Sequence, residues 1–217
     1  MQAYKTVLIF PIDDSVEFLR PIVDFLLKTF ENIIQFEPAY GKYLEIDDEI
    51  QLVIFIGHGT SSVLCGNLLQ DGEKYKFLDI INASVLFADL SIMLLSCRSI
   101  DFIKNVRHNV ALKSFLGFGD MPTDWNHIAY LRDLDSEYLK GFEEEHLEYY
   151  KNILVKAFIN GLTLYSINYN FRAMYLGMQQ VINAAMSEVI IDMHWDKSIK
   201  NYLVDLLLEL KTDMKYL

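Results

Sequence analysis

Four apolar runs in the first 120 or so residues are continuous rather than alternating: Thr6–Phe10 (TVLIF), Gln51–Ile56 (QLVIFI), Ser91–Ser96 (SIMLLS) and Ser114–Phe118 (SFLGF). A strand with one wet face alternates apolar and polar residues; a strand covered on both faces does not. A weaker fifth run, Ile33–Phe36, follows the first helical segment. That segment, Ser15–Phe30, places Leu19, Val23, Leu26, Leu27 and Phe30 on one face, with Ser15 as N-cap and Pro21 as a local disturbance. Phe77–Phe87 and Ile100–Leu112 also read as helices. Strand and helix alternating in this way predict an α/β fold, a mostly parallel sheet flanked by helices.

After about Trp125 the texture changes. No proline occurs from His127 to Leu217, and Gly141, Gly161 and Gly177 read as the breakers between long segments. Helical periodicity dominates, as in Leu147, Tyr150, Leu154 and Phe158, and again in Leu203, Leu206, Leu207 and Leu210. The expectation is a sheet core over residues 1–126 and an all-helical part over 127–217, packed on it as one compact unit. The aromatic-rich stretch Tyr165–Tyr175 reads as core packing.

Composition narrows the function classes. With 52% hydrophobic and 13% aromatic residues, the chain has ample material for a core. A net charge of −11, from 19 basic and 30 acidic side chains, repels phosphate backbones and argues against a nucleic-acid partner. The two cysteines, Cys65 and Cys97, form no CxxC pair, which suits a reducing compartment. The apolar run Val7–Phe10 is too short for a signal peptide, and no stretch reaches the roughly 18 apolar residues of a membrane span. A cytoplasmic protein with no membrane partner is expected.

In open parallel sheets, functional residues gather at the carboxyl ends of strands. Two of the strongest runs end in reactive side chains: QLVIFI leads into Gly57-His58-Gly59, and SIMLLS into Cys97-Arg98-Ser99. If the two strands are parallel neighbours, His58 and Cys97 emerge side by side. A thiolate is the nucleophilic form of cysteine, and a neighbouring imidazole both generates it and returns the proton to a leaving amine. The glycines admit substrate backbone, and the amide groups of Gly59 and Cys97 are placed to face an oxyanion.

These residues resemble the caspase-like (clan CD) cysteine peptidases, in which one hydrophobic strand ends in His-Gly and a later one in Ser/Ala-Cys. FIGHGTSS followed by MLLSCRS is most similar to the bacterial CHAT branch. The resemblance covers roughly residues 5–125. It implies a cysteine endopeptidase with His58 as general base and acid, Cys97 as nucleophile, and Gly59 and Cys97 as oxyanion donors. It also implies a protein or peptide substrate, an activating protein partner, no cofactor, and a role in bacterial regulated proteolysis or defence against phage. The loops Thr60–Asp71 and Asp120–Asn126 are where activation would act. Ser96, Cys97 and Arg98 fit the caspase nucleophile pattern in kind, while Ser99 replaces its glycine. Leu95 stands where metacaspases carry the aspartate that binds a basic substrate side chain. Asp120 or Asp124 is the substitute pocket carboxylate, and Arg98 is a second substrate-contact candidate.

Plainer readings compete. Cysteine is among the most buried residue types, so Cys97 alone reads as structural and His58 alone as a turn residue. Cys65 caps no strand and is the weaker nucleophile candidate. A zinc site from His58, Cys65 and Cys97 lacks paired ligand spacing, so no metal is expected. His108, His127, His146 and His194 are scattered, and Glu143-Glu144-Glu145-His146 reads as an exposed helix start. A catalytically inactive caspase-fold adaptor that binds a partner protein is the alternative function. An amidase is the third, although Ser96-Cys97-Arg98-Ser99 lacks the glycines of a nucleophile elbow.

Overall fold

Parallel pairing orders the apolar runs just as continuous burial requires. The computed structural model describes residues 5–70, 72–191 and 194–217. Strands β1 (Lys5–Ile9), β2 (Ile33–Phe36), β3 (Ile50–Ile56), β6 (Ser91–Leu95) and β7 (Ser114–Gly117) lie parallel in the order β2-β1-β3-β6-β7. A short strand, β8 (Lys215–Tyr216), closes the edge antiparallel to β7. The remaining strands, β4 (Val63–Leu68) and β5 (Lys74–Asp79), form a separate two-stranded antiparallel hairpin. The fold is α/β, with a mostly parallel six-stranded sheet flanked by helices.

Both faces of the central strands are dry. Val7, Ile9, Val53, Phe55, Ile92 and Leu94 join one cluster with Phe102, Ile103 and Val106 of α3 (Ser99–Arg107). Their neighbours Leu8, Ile54 and Met93 point the other way, as strand periodicity dictates, and are equally buried. Each such side chain contributes roughly 1.5–3 kcal/mol of burial.

Boundaries moved where tertiary structure overrode local pattern. Asp13, not Ser15, caps the first helical turn: its carboxylate accepts the Ser15 amide. Asp14–Leu19 is a 3-10 helix, and α1 (Arg20–Thr29) begins only there, with Pro21 in its first turn, where a missing N–H costs nothing. The segment Phe77–Phe87 is not one helix; Phe77–Asp79 completes β5, and α2 spans Ile80–Leu86 with Asp79 as its cap. Helix α3 stops at Arg107, short of Leu112. The expected loop Thr60–Asp71 contains β4, and its last residue, Asp71, lies outside the described residues.

The chain forms two compact units, Met1–Gly119 with Met214–Leu217, and Asp120–Asp213. The break therefore falls before Asp120 rather than after residue 126, and the last residues belong with the sheet. The second unit is all helical: α4 (Trp125–Leu134), α5 (Glu144–Asn168), α6 (Phe171–Ile191) and α7 (Lys197–Asp213). Gly161 and Gly177 break nothing. They let α5 and α6 pack closely: a Cβ on Gly161 would lie 2.7 Å from Met178 Cγ, and one on Gly177 would lie 2.8 Å from Leu164 Cδ1. Tyr165 and Phe171 stack where these helices meet, with Met174 buried below. His146 is buried rather than exposed; its Nδ1 accepts the Glu143 amide 2.8 Å away and closes the first turn of α5. Among the described residues no helix is long and apolar enough to cross a membrane.

Candidate active site

The carboxyl ends of β1, β3 and β6 make the candidate site. Ile56 pairs with Leu95, and the Gly57 amide donates to the Leu95 carbonyl at 3.0 Å, continuing the ladder one step past the strands. His58 and Cys97 therefore leave adjacent chains at equivalent positions, on strands spaced roughly 4.8 Å apart. The expected juxtaposition of the two strand ends is present.

The two glycines around His58 are demanded by close neighbours. A Cβ at Gly57 would sit 2.9 Å from Pro11 Cγ, at the end of β1, and one at Gly59 would sit 2.7 Å from Ser96 Oγ. The histidine is thus clamped between the strand ends on either side of β3. Beyond it the chain turns back sharply. The Thr60 amide donates to the Val63 carbonyl, the Cys65 amide to the His58 carbonyl, and Thr60 Oγ1 accepts from the Ser62 and Val63 amides. Gly59 faces Leu64 as the pair between these two bonds, so its own N–H turns away from the ladder.

Cys97 occupies an equally fixed turn. Arg98 adopts a left-handed conformation (φ 54°), and its amide donates to the Gly119 carbonyl at 2.8 Å. The fully buried Ser99 hydroxyl donates to the Leu94 carbonyl and accepts the Phe118 amide, both at 2.8 Å. One side chain thereby ties the end of β6 to the end of β7, and Cys97, in the turn between β6 and α3, is half-buried. The Arg98 side chain is half-exposed and lies 3.9 Å from Asp101.

The side chain of His58, 19% exposed, is engaged from the β1 side by Asp13 and by Ser15, which the sequence suggests only as a helix cap. The Ser15 hydroxyl lies 2.7 Å from His58 Nε2 and 2.6 Å from Asp13 Oδ1. The other Asp13 oxygen is 3.5 Å from His58 Nε2 and 3.9 Å from Lys74 Nζ. Burial works against the Asp13 charge, but the Ser15 hydroxyl and amide, with the charges of His58 and Lys74, outweigh it and hold the carboxyl below its ordinary range. An ionised carboxylate only accepts, so the Ser15 hydroxyl donates to Asp13 and takes its second bond from His58 Nε2–H. That leaves Nδ1 as the basic nitrogen.

A serine, a histidine and an aspartate in contact invite a serine-hydrolase reading, which the proton pattern contradicts. In such a triad the carboxylate binds the imidazole nitrogen opposite the serine. Here Asp13 lies on the same nitrogen as Ser15 and takes the hydroxyl proton itself, so Ser15 is a bridge. The clue in the sequence was carboxylates at a strand end (PIDDS). Their meaning depended on β1 lying beside β3.

Cys65 lies within β4, opposite Lys76. Burial pushes its thiol up, with the Asp13 charge adding to that and Lys74 and Lys76 opposing it. Asp120 and Asp124 belong to the helical unit, where Asp124 accepts the Asn126 amide to cap α4 and Asp120 is exposed. A cavity of about 690 Å³ is lined by Lys5, Asn32, Ile33, Glu49 and Gln51 at the amino ends of β1, β2 and β3. Neither His58 nor Cys97 lines it, so chemistry rather than volume locates the site. Among the described residues no group of three or more His, Cys, Asp or Glu is arranged to hold a metal ion. No protein-family model matches this chain, and no curated protein matches it significantly.

Proposed function

We propose that the chain is a caspase-like cysteine endopeptidase acting on a protein substrate. The reading is carried by one observation: β3 and β6 are adjacent, parallel and in register, so that His58 and Cys97 leave the sheet together. His58 Nδ1 takes the Cys97 proton, and the thiolate attacks the scissile carbonyl. The Gly59 and Cys97 amides receive the oxyanion; one such donor is worth about 100- to 1000-fold in rate. Imidazolium then protonates the departing amine, leaving an acyl-enzyme. Water, deprotonated by the same imidazole, attacks that thioester and releases the new carboxyl terminus and the Cys97 thiol.

The Cys97 turn supports this role. It holds a thiol at a strand end with the backbone fixed on both sides, at Gly119 and through Ser99. The test is a comparison of new protein N-termini in cells expressing the wild type or Cys97→Ala. Cleavage products confined to the wild type are expected; identical N-termini in both would overturn the proposal.

A further inference from the structure

The bridge between Asp13 and His58 is unusual in its wiring. Asp13 is almost wholly buried, its side chain 3% exposed, and one oxygen accepts both the amide and the hydroxyl of Ser15. Its second oxygen has no hydrogen-bond partner among the described residues, yet faces His58 Nε2 and Lys74 Nζ at ion-pair range. A buried carboxylate with one oxygen unbonded is costly unless a charge opposite it repays the desolvation. Ser15 is exposed, so nothing in packing requires its hydroxyl to point inward at His58.

We infer that Asp13, acting through Ser15, is a positioning residue for His58: the pair fixes the Nε2–H tautomer and stabilises the imidazolium that forms when Nδ1 accepts a proton. Naming Cys97 as the source of that proton rests on the peptidase reading; the tautomer and the charge effect do not. When Cys97 Sγ–H gives its proton to Nδ1, the products are a thiolate and an imidazolium carrying both N–H groups. Nε2–H stays on Ser15, the Ser15 proton stays directed at Asp13, and Asp13 remains ionised. Among the described residues, Asp13 from the β1 end faces both His58 and Lys74 of β5, the Asp13 charge reaches Cys65 of β4, and Cys97 follows β6 at the position level with His58. At the start of α3, Arg98 and Asp101 face each other. Lys74 keeps the pocket from accumulating two uncompensated negative charges once the thiolate forms.

The experiment uses the full chain with 15N-labelled histidine, and long-range 1H–15N spectra recorded between about pH 5 and 8, where imidazole titrates. His58 is identified by its loss in His58→Gln. In the wild type, neutral His58 is expected as the Nε2–H tautomer. Asp13→Asn and Ser15→Ala should move its titration to lower pH, and Ser15→Thr, which keeps the hydroxyl, should restore it. Iodoacetamide alkylation of Cys97 at neutral pH should slow about 100-fold in the first two variants, the scale of a misplaced catalytic group, and recover in the third. A Nδ1–H tautomer in the wild type, or a titration unmoved in both Asp13→Asn and Ser15→Ala, would overturn the inference. Because Ser15 is exposed, Ser15→Ala keeps the test valid even if Asp13→Asn fails to fold. The expected tautomer and shifts without any Cys97-dependent proteolysis would sink the peptidase reading and leave the positioning role standing.

Discussion

Gly59 lies so close to Ser96 that a methyl group on it would meet the serine hydroxyl at 2.7 Å and its Cβ at 3.2 Å. The turn that carries His58 is thus packed directly on the residue before Cys97, and the two halves of the candidate site share one contact. Gly59→Ala should cost roughly 1–3 kcal/mol, the usual range for overpacking. The Ser96 hydroxyl is buried with no hydrogen-bond partner among the described residues, so Ser96→Ala alone should be neutral or slightly stabilising. Urea denaturation of both single variants and the double variant checks this. The double variant should be less destabilised than Gly59→Ala; strict additivity would show that the contact is not tight.

Ser99 is the tie between β6 and β7. Ser99→Ala removes a donor to Leu94 and an acceptor for Phe118 in a fully buried place, a loss of about 1–3 kcal/mol. The thermal midpoint should fall, and Cys97 should become more uniformly accessible to small thiol reagents as its turn loosens. An unchanged midpoint would mean that the tie contributes nothing.

The strands that build the site were legible because, apart from Lys5 and Gln51 near their starts, β1, β3, β6 and β7 are runs of apolar or small residues, the pattern of a doubly covered strand. The hairpin was not. In β4 (VLCGNL) the apolar residues are interrupted by Gly66 and Asn67, and Gly66 is there because a side chain would collide with the Pro38 carbonyl, a neighbour invisible in local sequence. Phe77 and Leu78 fitted a helical face as well as a strand, and only pairing with Leu64 decided the matter. β8 is two residues made by its contact with β7. His58 and Cys97 could be read from the strand ends they follow. Asp13 and Ser15 could not be assigned to them, because a local capping role explains Ser15 and nothing in the sequence alone ties Asp13 to His58 without the order β1-β3-β6.

The Asp13 carboxyl sets an acid limit on stability. Its folded pKa lies below the ordinary value near 3.8, so its contribution is complete above that value and is lost as pH falls through the lowered one. The stability difference between wild type and Asp13→Asn should therefore grow as pH falls through the imidazole range, where Asp13 favours the His58 imidazolium, and shrink again below about pH 4 as the carboxyl takes up its proton. Urea midpoints measured across that range give the answer; a difference that persists unchanged into strong acid would contradict an ionised Asp13.

The two thiols should separate in reactivity. Burial pushes the Cys65 thiol up, so its thiolate is scarce at neutral pH. Peptide mapping after brief iodoacetamide treatment should find Cys97 modified first, with Cys65 following only as the pH is raised. Prior modification of Cys65 would reverse the assignment of nucleophile.

The most direct measurement is labelling by an acyloxymethyl ketone peptide probe, which alkylates a cysteine only when a paired histidine and an oxyanion site act on it. Wild type and Cys65→Ala are expected to label, while Cys97→Ala and His58→Ala are not. Labelling that survives in Cys97→Ala, or that is absent from the wild type even with its natural partner present, would contradict a peptidase built on Cys97 and His58.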